Sequence, residues 1–315
     1  MKILSRPKKN AEEYGKWAVN PYVGCSNQCE YCYLRKGPSG KYLGQDQPVL
    51  KKGVVNEEHA YHLAMAEIIE HKDEIIRDGG LFFTFTSDPC LPTTCGLTFP
   101  IAADAMNYGI PVTLLTKNAD FCGMENPSVQ LFTVAYQVNS WLTHIVIFKN
   151  TYQERLAIGF TLTGRDDLEP LASSNQKRIN ALEYLNGEGW LTWASIEPVI
   201  DFDSSLRMIQ QALDAGCQHF KIGLMTEHTK VCRRGFTLGG KTFEPYDPAR
   251  CLAFVQDVMQ QTRDRATVYW KQSFRDFIGG TGKHRLFTDD ELHKIFDDYS
   301  NAVGKDWSMF NPQNR

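Results

Sequence analysis

The chain has 315 residues, 42% of them hydrophobic, enough to bury one large α/β core or two smaller ones. Lys and Arg total 34 against 37 Asp and Glu, and the net charge of -3 argues against a protein that coats nucleic acid or an anionic membrane by bulk charge. No run approaches the ~20 apolar residues of a membrane-spanning helix, and the opening MKILSRPKKNAEEYGKW lacks the apolar core of a signal peptide. The expectation is a cytoplasmic chain whose nine cysteines stay reduced and serve metal binding or catalysis rather than disulfides.

Along the chain, short apolar and β-branched runs alternate with helical patterns. Strands are predicted at 17–24, 81–86, 111–117, 156–163, 190–197 and 219–225, with a seventh candidate at 266–271. Apolar residues at helical spacing predict helices over 59–77, over 176–185 before the stop at Gly187 and Gly189, and over 204–215 before Gly216. This alternation argues for parallel strands joined by crossover helices, in an open or closed β/α barrel. Residues 121–155 are too long for one crossover and contain THIVIFKN, an extra strand or a helix end. Residues 230–248 read as a loop or hairpin insertion, and 276–315 as a terminal extension with one helix over 289–299.

The segment NPYVGCSNQCEYCYLR spaces Cys25, Cys29 and Cys32 with three and then two residues between them. Thiolates this close can surround one metal object. Iron–sulfur clusters take cysteine thiolates, usually four, and a set of three leaves one iron open for chemistry, much as catalytic zinc keeps an open position. Spacing alone leaves other readings open. A structural zinc site would need a fourth ligand, and no CxxC or HxxxH partner follows at zinc-finger spacing. A redox pair at Cys29 and Cys32 would leave Cys25 without a role. Clustering of buried cysteines is the third alternative.

CxxxCxxC followed by Tyr33, after a strand near the amino terminus, resembles the signature of the radical S-adenosylmethionine superfamily. NPYVGC, TSDPCLP, TLLTKN, LEPLASSNQKRI and ASIEPVID follow in the order of its spore photoproduct lyase-like branch, also described as DNA repair photolyase-like. The likeness runs from about residue 17 to 225. It implies a partial (β/α)6 TIM-like barrel over residues 1–275, with site residues at the carboxyl ends of the strands. It also implies a 4Fe–4S cluster on Cys25, Cys29 and Cys32 and S-adenosylmethionine on its open iron. Flavodoxin or ferredoxin would serve as reductant, and reductive cleavage would release a 5′-deoxyadenosyl radical. The substrate class stays open among nucleic acid, peptide and small metabolite, and no membrane partner is implied.

By the same resemblance Tyr31 contacts adenine, and Ser87 with Asp88 receive the methionine amino group, an ammonium that needs acceptors. A Ser-Asp-Pro turn or helix cap is the structural alternative. Lys117 pairs with the cofactor carboxylate or a substrate anion, unless it is a solvated strand-end lysine. Thr161, with Thr163, reaches the ribose or carboxylate, although Thr is common in strands for structural reasons. Arg178 falls at the arginine of an EP…R pattern and suits bidentate carboxylate binding, the alternative being a helix-surface arginine. Ser195 and Glu197 end the fifth strand at Pro198, and a Glu within an apolar strand needs a partner. Lys271 resembles a late-strand lysine of related sequences without an assigned role.

The pattern breaks after the second strand, where TDPYQPxE becomes SDPCLPTT, placing Cys90 and Thr94 at the Tyr and acidic positions. Because spore photoproduct lyases return a hydrogen atom from a cysteine, Cys90 becomes a candidate catalytic donor, with burial as a small hydrophobe the alternative. Two functions compete: a radical enzyme, and an iron–sulfur or zinc-bearing binding or sensing module without turnover. Arg233, Arg234, Arg263, Arg265 and Arg275 are candidates for a basic lip.

Overall fold

The structure, a computed structural model, describes residues 2–35, 40–122, 153–225, 235–279 and 287–295. THIVIFKN, Cys232, Arg233 and Arg234 lie outside these residues.

The main sheet runs β1 Leu4–Ser5, β2 Ala18–Val19, β3 Leu81–Phe83, β4 Val112–Thr116, β5 Leu156–Thr161, β6 Leu191–Val199, β7 His219–Leu224 and β8 Thr267–Trp270. Each strand pairs with the next in the chain. β1 is antiparallel to β2, and the strands from β2 to β8 are parallel. The sheet is therefore mixed and open: β1 and β8 are its edges. The candidate strand at 266–271 is β8, and it lengthens the parallel run beyond six strands.

Helices α1 Glu57–Glu70 and α2 Lys72–Arg77 join β2 to β3, α3 Cys95–Asn107 joins β3 to β4, and α4 Asn175–Gly187 joins β5 to β6. α5 Phe202–Asp214 leads from β6 to β7, and α6 Pro248–Thr262 precedes β8. The single helix predicted over 59–77 divides at His71. Asn56 caps α1 by accepting from the His59 N–H, 2.8 Å.

The predicted strand 17–24 also divides. Pro21 has no N–H for the ladder, so after Val19 the chain leaves the sheet and Tyr22–Val23 pairs instead with Val49–Leu50. The 230–248 insertion contains a hairpin, Phe236–Leu238 with Lys241–Phe243. α7 Gln272–Ile278 runs across the 275/276 boundary with Phe277 and Ile278 buried, and α8 Asp289–Ile295 covers part of the predicted last helix. Among the described residues, no helix is long and apolar enough to cross a membrane.

The period of two along each strand separates two interiors. Phe83, Leu114, Ile158, Phe160, Ala194 and Phe220 belong to the large core under the helices. The other face carries Ala18, Phe82, Ala157 and Trp193, packed with Tyr14, Phe85, Leu115 and Leu191. Tyr14 sits in the segment between β1 and β2, yet its ring lies 5.4 Å from Phe82 on β3 and 6.2 Å from Trp193 on β6. With strands ~4.8 Å apart, one ring meets both only if this face is concave. The same segment reaches the opposite edge: Glu13 Oε1 accepts from the Gln272 N–H (2.7 Å) and from Arg275 (3.0 Å). Above the apolar floor, Thr161, Ser195, Lys221 and Tyr269 stand in register across β5 to β8.

Candidate active site

The three-cysteine loop begins where Tyr22–Val23 ends. Gly24 has φ +87°, and a Cβ there would fall 2.5 Å from Gln45 Cβ and Gln47 O, so only glycine lets the chain turn into Cys25. The Cys25 N–H then donates to Gln45 O (3.1 Å), and tight turns carry Cys32 N–H to Cys29 O and Arg35 N–H to Cys32 O, each 3.1 Å. Cys29 is buried, and Cys25 and Cys32 are half-buried; all three are free thiols. Burial pushes Cys25 up to about 12 and Cys29 up to about 11. Cys29 adds to the rise at Cys25 and Cys32 to the rise at Cys29, while Lys117 lowers both Cys25 and Cys29.

Among the described residues, no three His, Cys, Asp or Glu side chains form a group suited to one metal ion. A cubane asks for something else, since its cysteine ligands sit on separate irons. Three free thiols in one loop, with Cys29 coupled to Cys25 and to Cys32 and a lysine close by, form a donor set compatible with it.

The loop is fastened to the turn after β5. The Glu30 N–H donates to Leu168 O (3.0 Å), and the Tyr31 hydroxyl donates to Glu169. Glu169 in turn meets Arg178 Nη2 at 2.5 Å, with both side chains fully buried. The remaining guanidinium donors go to Ser173 O (2.8 Å) and Thr161 O (2.6 Å). Burial lowers the Arg178 pKa, but Glu169 outweighs it and holds the net shift upward. Arg178 is thus enclosed rather than on a helix surface. The Lys117 ammonium stands 5.6 Å from the Tyr31 ring. Burial opposes its charge, and Cys29 with Glu169 more than restores it.

Asp88 is a four-way knot. Its carboxylate accepts from Asn27 Nδ2 (2.8 Å), the Cys90 N–H (3.0 Å), the Thr116 hydroxyl (2.6 Å) and the Lys117 N–H (2.8 Å). The cysteine loop is thereby tied to β4 through Asn27. Ser87 differs: its hydroxyl oxygen is buried with no hydrogen-bond partner among the described residues, an orphaned acceptor and donor that a ligand would satisfy. Cys90 is 1% exposed within the helix-side core. Burial, Asp88 and Cys122 all push its thiol up, and the Thr116 hydroxyl opposes them. Thr94 closes the turn, donating to Asp88 O (2.8 Å) and accepting from the Leu91 N–H (3.1 Å).

Ser195 and Glu197 belong to a second group. Lys271 Nζ holds both oxygens of Glu197, at 2.8 and 2.7 Å, and the Tyr14 hydroxyl contacts Glu197 and Ser195 Oγ, the latter at 2.9 Å. Tyr33, half exposed, follows the last cysteine and donates its hydroxyl to the Phe85 carbonyl. Lys221, Glu13, Tyr14 and Glu169 were not singled out by sequence. The reasoning that found Glu197, a charge in an apolar strand, applies equally to Lys221 in HFKIGL. Arg263 and Arg265 precede β8 and Arg275 follows it, bound to Glu13, so these three do not converge into one lip.

Neither protein-family models nor curated proteins match this chain. Solved structures do. Spore photoproduct lyase bound to dinucleoside spore photoproduct aligns with a TM-score of 0.52 at 15% identity, over 85% of this chain and 80% of that one. A cysteine-to-alanine mutant of that lyase with the same ligand gives 0.53 at 15%, over 85% and 79%. The fold is shared with spore photoproduct lyase. The α/β architecture with its mixed sheet resembles that of the lyase, and at this identity the likeness concerns fold alone.

Proposed function

We propose that this protein is a radical S-adenosylmethionine enzyme, with Cys25, Cys29 and Cys32 as the thiolate ligands of a 4Fe–4S cluster. The observation that carries the reading is the CxxxCxxC loop, fastened to the segments that follow β3 and β5 by Asn27–Asp88 and Tyr31–Glu169. Bound there, the cluster would supply the electron that cleaves the cofactor's sulfonium C–S bond, and the resulting 5′-deoxyadenosyl radical would take a hydrogen atom from substrate.

The chain's own residues divide the work. Ser87 offers its unpartnered hydroxyl to the cofactor's amino group, and Asp88 positions the loop that presents it. Lys117 supplies positive charge to the thiolates and to the cofactor carboxylate. Tyr31 lends its ring face to adenine, with its hydroxyl fixed by Glu169. Arg178 acts through Glu169 and the Thr161 carbonyl as a positioning residue. Ser195 and Glu197 form the substrate-side wall. The burial of Cys90 in the helix-side core supports packing over hydrogen-atom donation.

Anaerobic reconstitution with iron and sulfide, then dithionite reduction with S-adenosylmethionine, tests the reading. The expected product is 5′-deoxyadenosine, lost in Cys→Ala variants at 25, 29 or 32. A 4Fe–4S protein that makes none under full reduction is a binding or sensing module instead, and a colourless protein with one tight zinc is neither. The dinucleoside ligand of the lyase complex makes nucleic acid the first substrate class to assay.

A further inference from the structure

The hairpin between β7 and α6 reaches the cysteine loop. Its turn is Gly239–Gly240, with φ +54° and +73°, the two left-handed residues that join Leu238 to its partner Lys241. It forms a two-stranded sheet of its own, apart from the main one. A lone hairpin is marginal in water, so its position depends on what its two ends hold. At the base, the Phe236 and Phe243 rings stack with centres 5.1 Å apart, and Phe236 lies 6.1 Å from the ring of Tyr246. Tyr246 is buried and donates its hydroxyl to Val199 O (2.5 Å), which fixes the base to the end of β6.

The tip makes the other attachment. Leu238 is 4% exposed and packed into the large core. A Cβ on Gly239 would fall 3.1 Å from Leu168 Cδ2 and 3.3 Å from Glu30 Cγ, so the turn lies against both residues. Leu168 and Glu30 are the two ends of the main-chain bond that fastens the cysteine loop, Glu30 N–H to Leu168 O. Beside them, Lys241 Nζ meets Asp167 at 2.5 Å. Arg165 grips the same carboxylate as a fork, at 2.9 and 2.7 Å, with its guanidinium 4.5 Å from the Phe243 ring. The ionic part of this hold is light, because the Lys241 and Asp167 side chains are 55% and 31% exposed. An ion pair in that setting is weak and screened by salt.

We propose that the hairpin is a hinged lid on the cysteine loop, latched by Lys241 on Asp167 and by the buried Leu238, and that its opening governs access to Cys29. The contacts of the tip fall on residues 165–168 and on Glu30, which are the places where the loop itself is tied down. Opening breaks one exposed ion pair, withdraws one leucine and uncovers Leu168. Water then reaches the Glu30–Leu168 bond, so the loop loosens together with the lid. The base stays in place, since Tyr246 and Val199 take no part in the latch. The lid acts on the loop whatever group the cysteines carry, and it stands or falls apart from the radical chemistry.

The test uses the full-length protein before any metal is loaded, with two readouts. One is iodoacetamide labelling of Cys29, measured by peptide mass spectrometry against the half-buried Cys95 on α3. The other is hydrogen exchange in the peptides spanning 25–35 and 236–243. At 50 mM NaCl, Lys241→Glu should raise Cys29 labelling and exchange in both peptides by about fivefold, the upper range for an exposed ion pair. At 500 mM NaCl the wild type should rise toward the variant, because screening weakens the latch it still has. Leu238→Ala should raise the same readouts at least tenfold through lost burial; should it not fold, the exposed Lys241→Glu change decides. Faster exchange in the hairpin with Cys29 and the 25–35 peptide unchanged would overturn the proposal, and so would identical behaviour of Lys241→Glu and wild type.

Discussion

Glu169 Oε2 and Arg178 Nη2 lie 2.5 Å apart with both side chains fully sealed from solvent, and the Tyr31 hydroxyl completes the carboxylate. Removing one member of such a pair leaves a buried, uncompensated charge. Glu169→Gln is therefore expected to cost about 3–5 kcal/mol, read as a shift in the urea midpoint. Tyr31→Phe keeps the pair intact and should cost only about 1 kcal/mol. Equal effects from the two would contradict the hierarchy.

A second expectation concerns the cysteines before any metal is loaded. Burial raises Cys25 from 9.0 to about 12, so at pH 8 its thiolate fraction is about a thousandfold below that of the unfolded chain. Iodoacetamide should modify Cys25 correspondingly slowly in the folded apoprotein and rapidly in 8 M urea. The sign follows for stability too: the unfolded thiol ionises first, so this contribution is full below pH 9 and is lost as pH rises toward 12. Rapid alkylation of the folded apoprotein would place Cys25 in an open loop instead.

Local pattern made most of the sheet legible. The run 156–163 became Leu156–Thr161 and 219–225 became His219–Leu224, because a strand buried on both faces writes itself as continuous apolar sequence. α3 escaped for the opposite reason. Its stretch CGLTFPIAADAMN is apolar on nearly every side and carries Pro100, so no helical period stands out, and the helix is buried almost throughout. The cysteines were legible from spacing, whereas Glu169 and Tyr14 take their meaning from partners 138 and 181 residues away. No window of sequence contains both halves of the Tyr31–Glu169 or the Tyr14–Ser195 contact. Arg178 was visible as a motif position, but its engagement with Glu169, Ser173 and Thr161 was not.

The concave face also makes a packing prediction. Gly159 lies directly beneath Trp193, and a Cβ at that position would fall 2.1 Å from the indole Cε2. The indole cannot yield easily, being 0% exposed and packed in the inner cluster with Phe82 and Tyr14. Gly159→Ala should therefore cost about 1–3 kcal/mol through overpacking. The double variant Gly159→Ala with Trp193→Phe should recover part of that loss in thermal unfolding. Full tolerance of the single change would mean that the inner face is loosely packed.

Lys221 gives the pH dependence of folding a defined sign. In the unfolded chain it keeps its proton up to about the ordinary value of 10.5, and in the folded chain it releases it well below that. Between these two values the unfolded state binds one more proton, so stability rises with pH by about 1.4 kcal/mol per unit from this group. The penalty is fully present below the folded pKa and disappears above the unfolded one. Urea titrations of the wild type and Lys221→Met at pH 7, 8 and 9 isolate the effect, since other groups titrate alike in both chains. The wild type should gain on the variant as pH climbs through the window. Parallel curves would mean that Lys221 keeps its proton in the fold, with Glu13 and Glu197 holding it against burial and against Lys271.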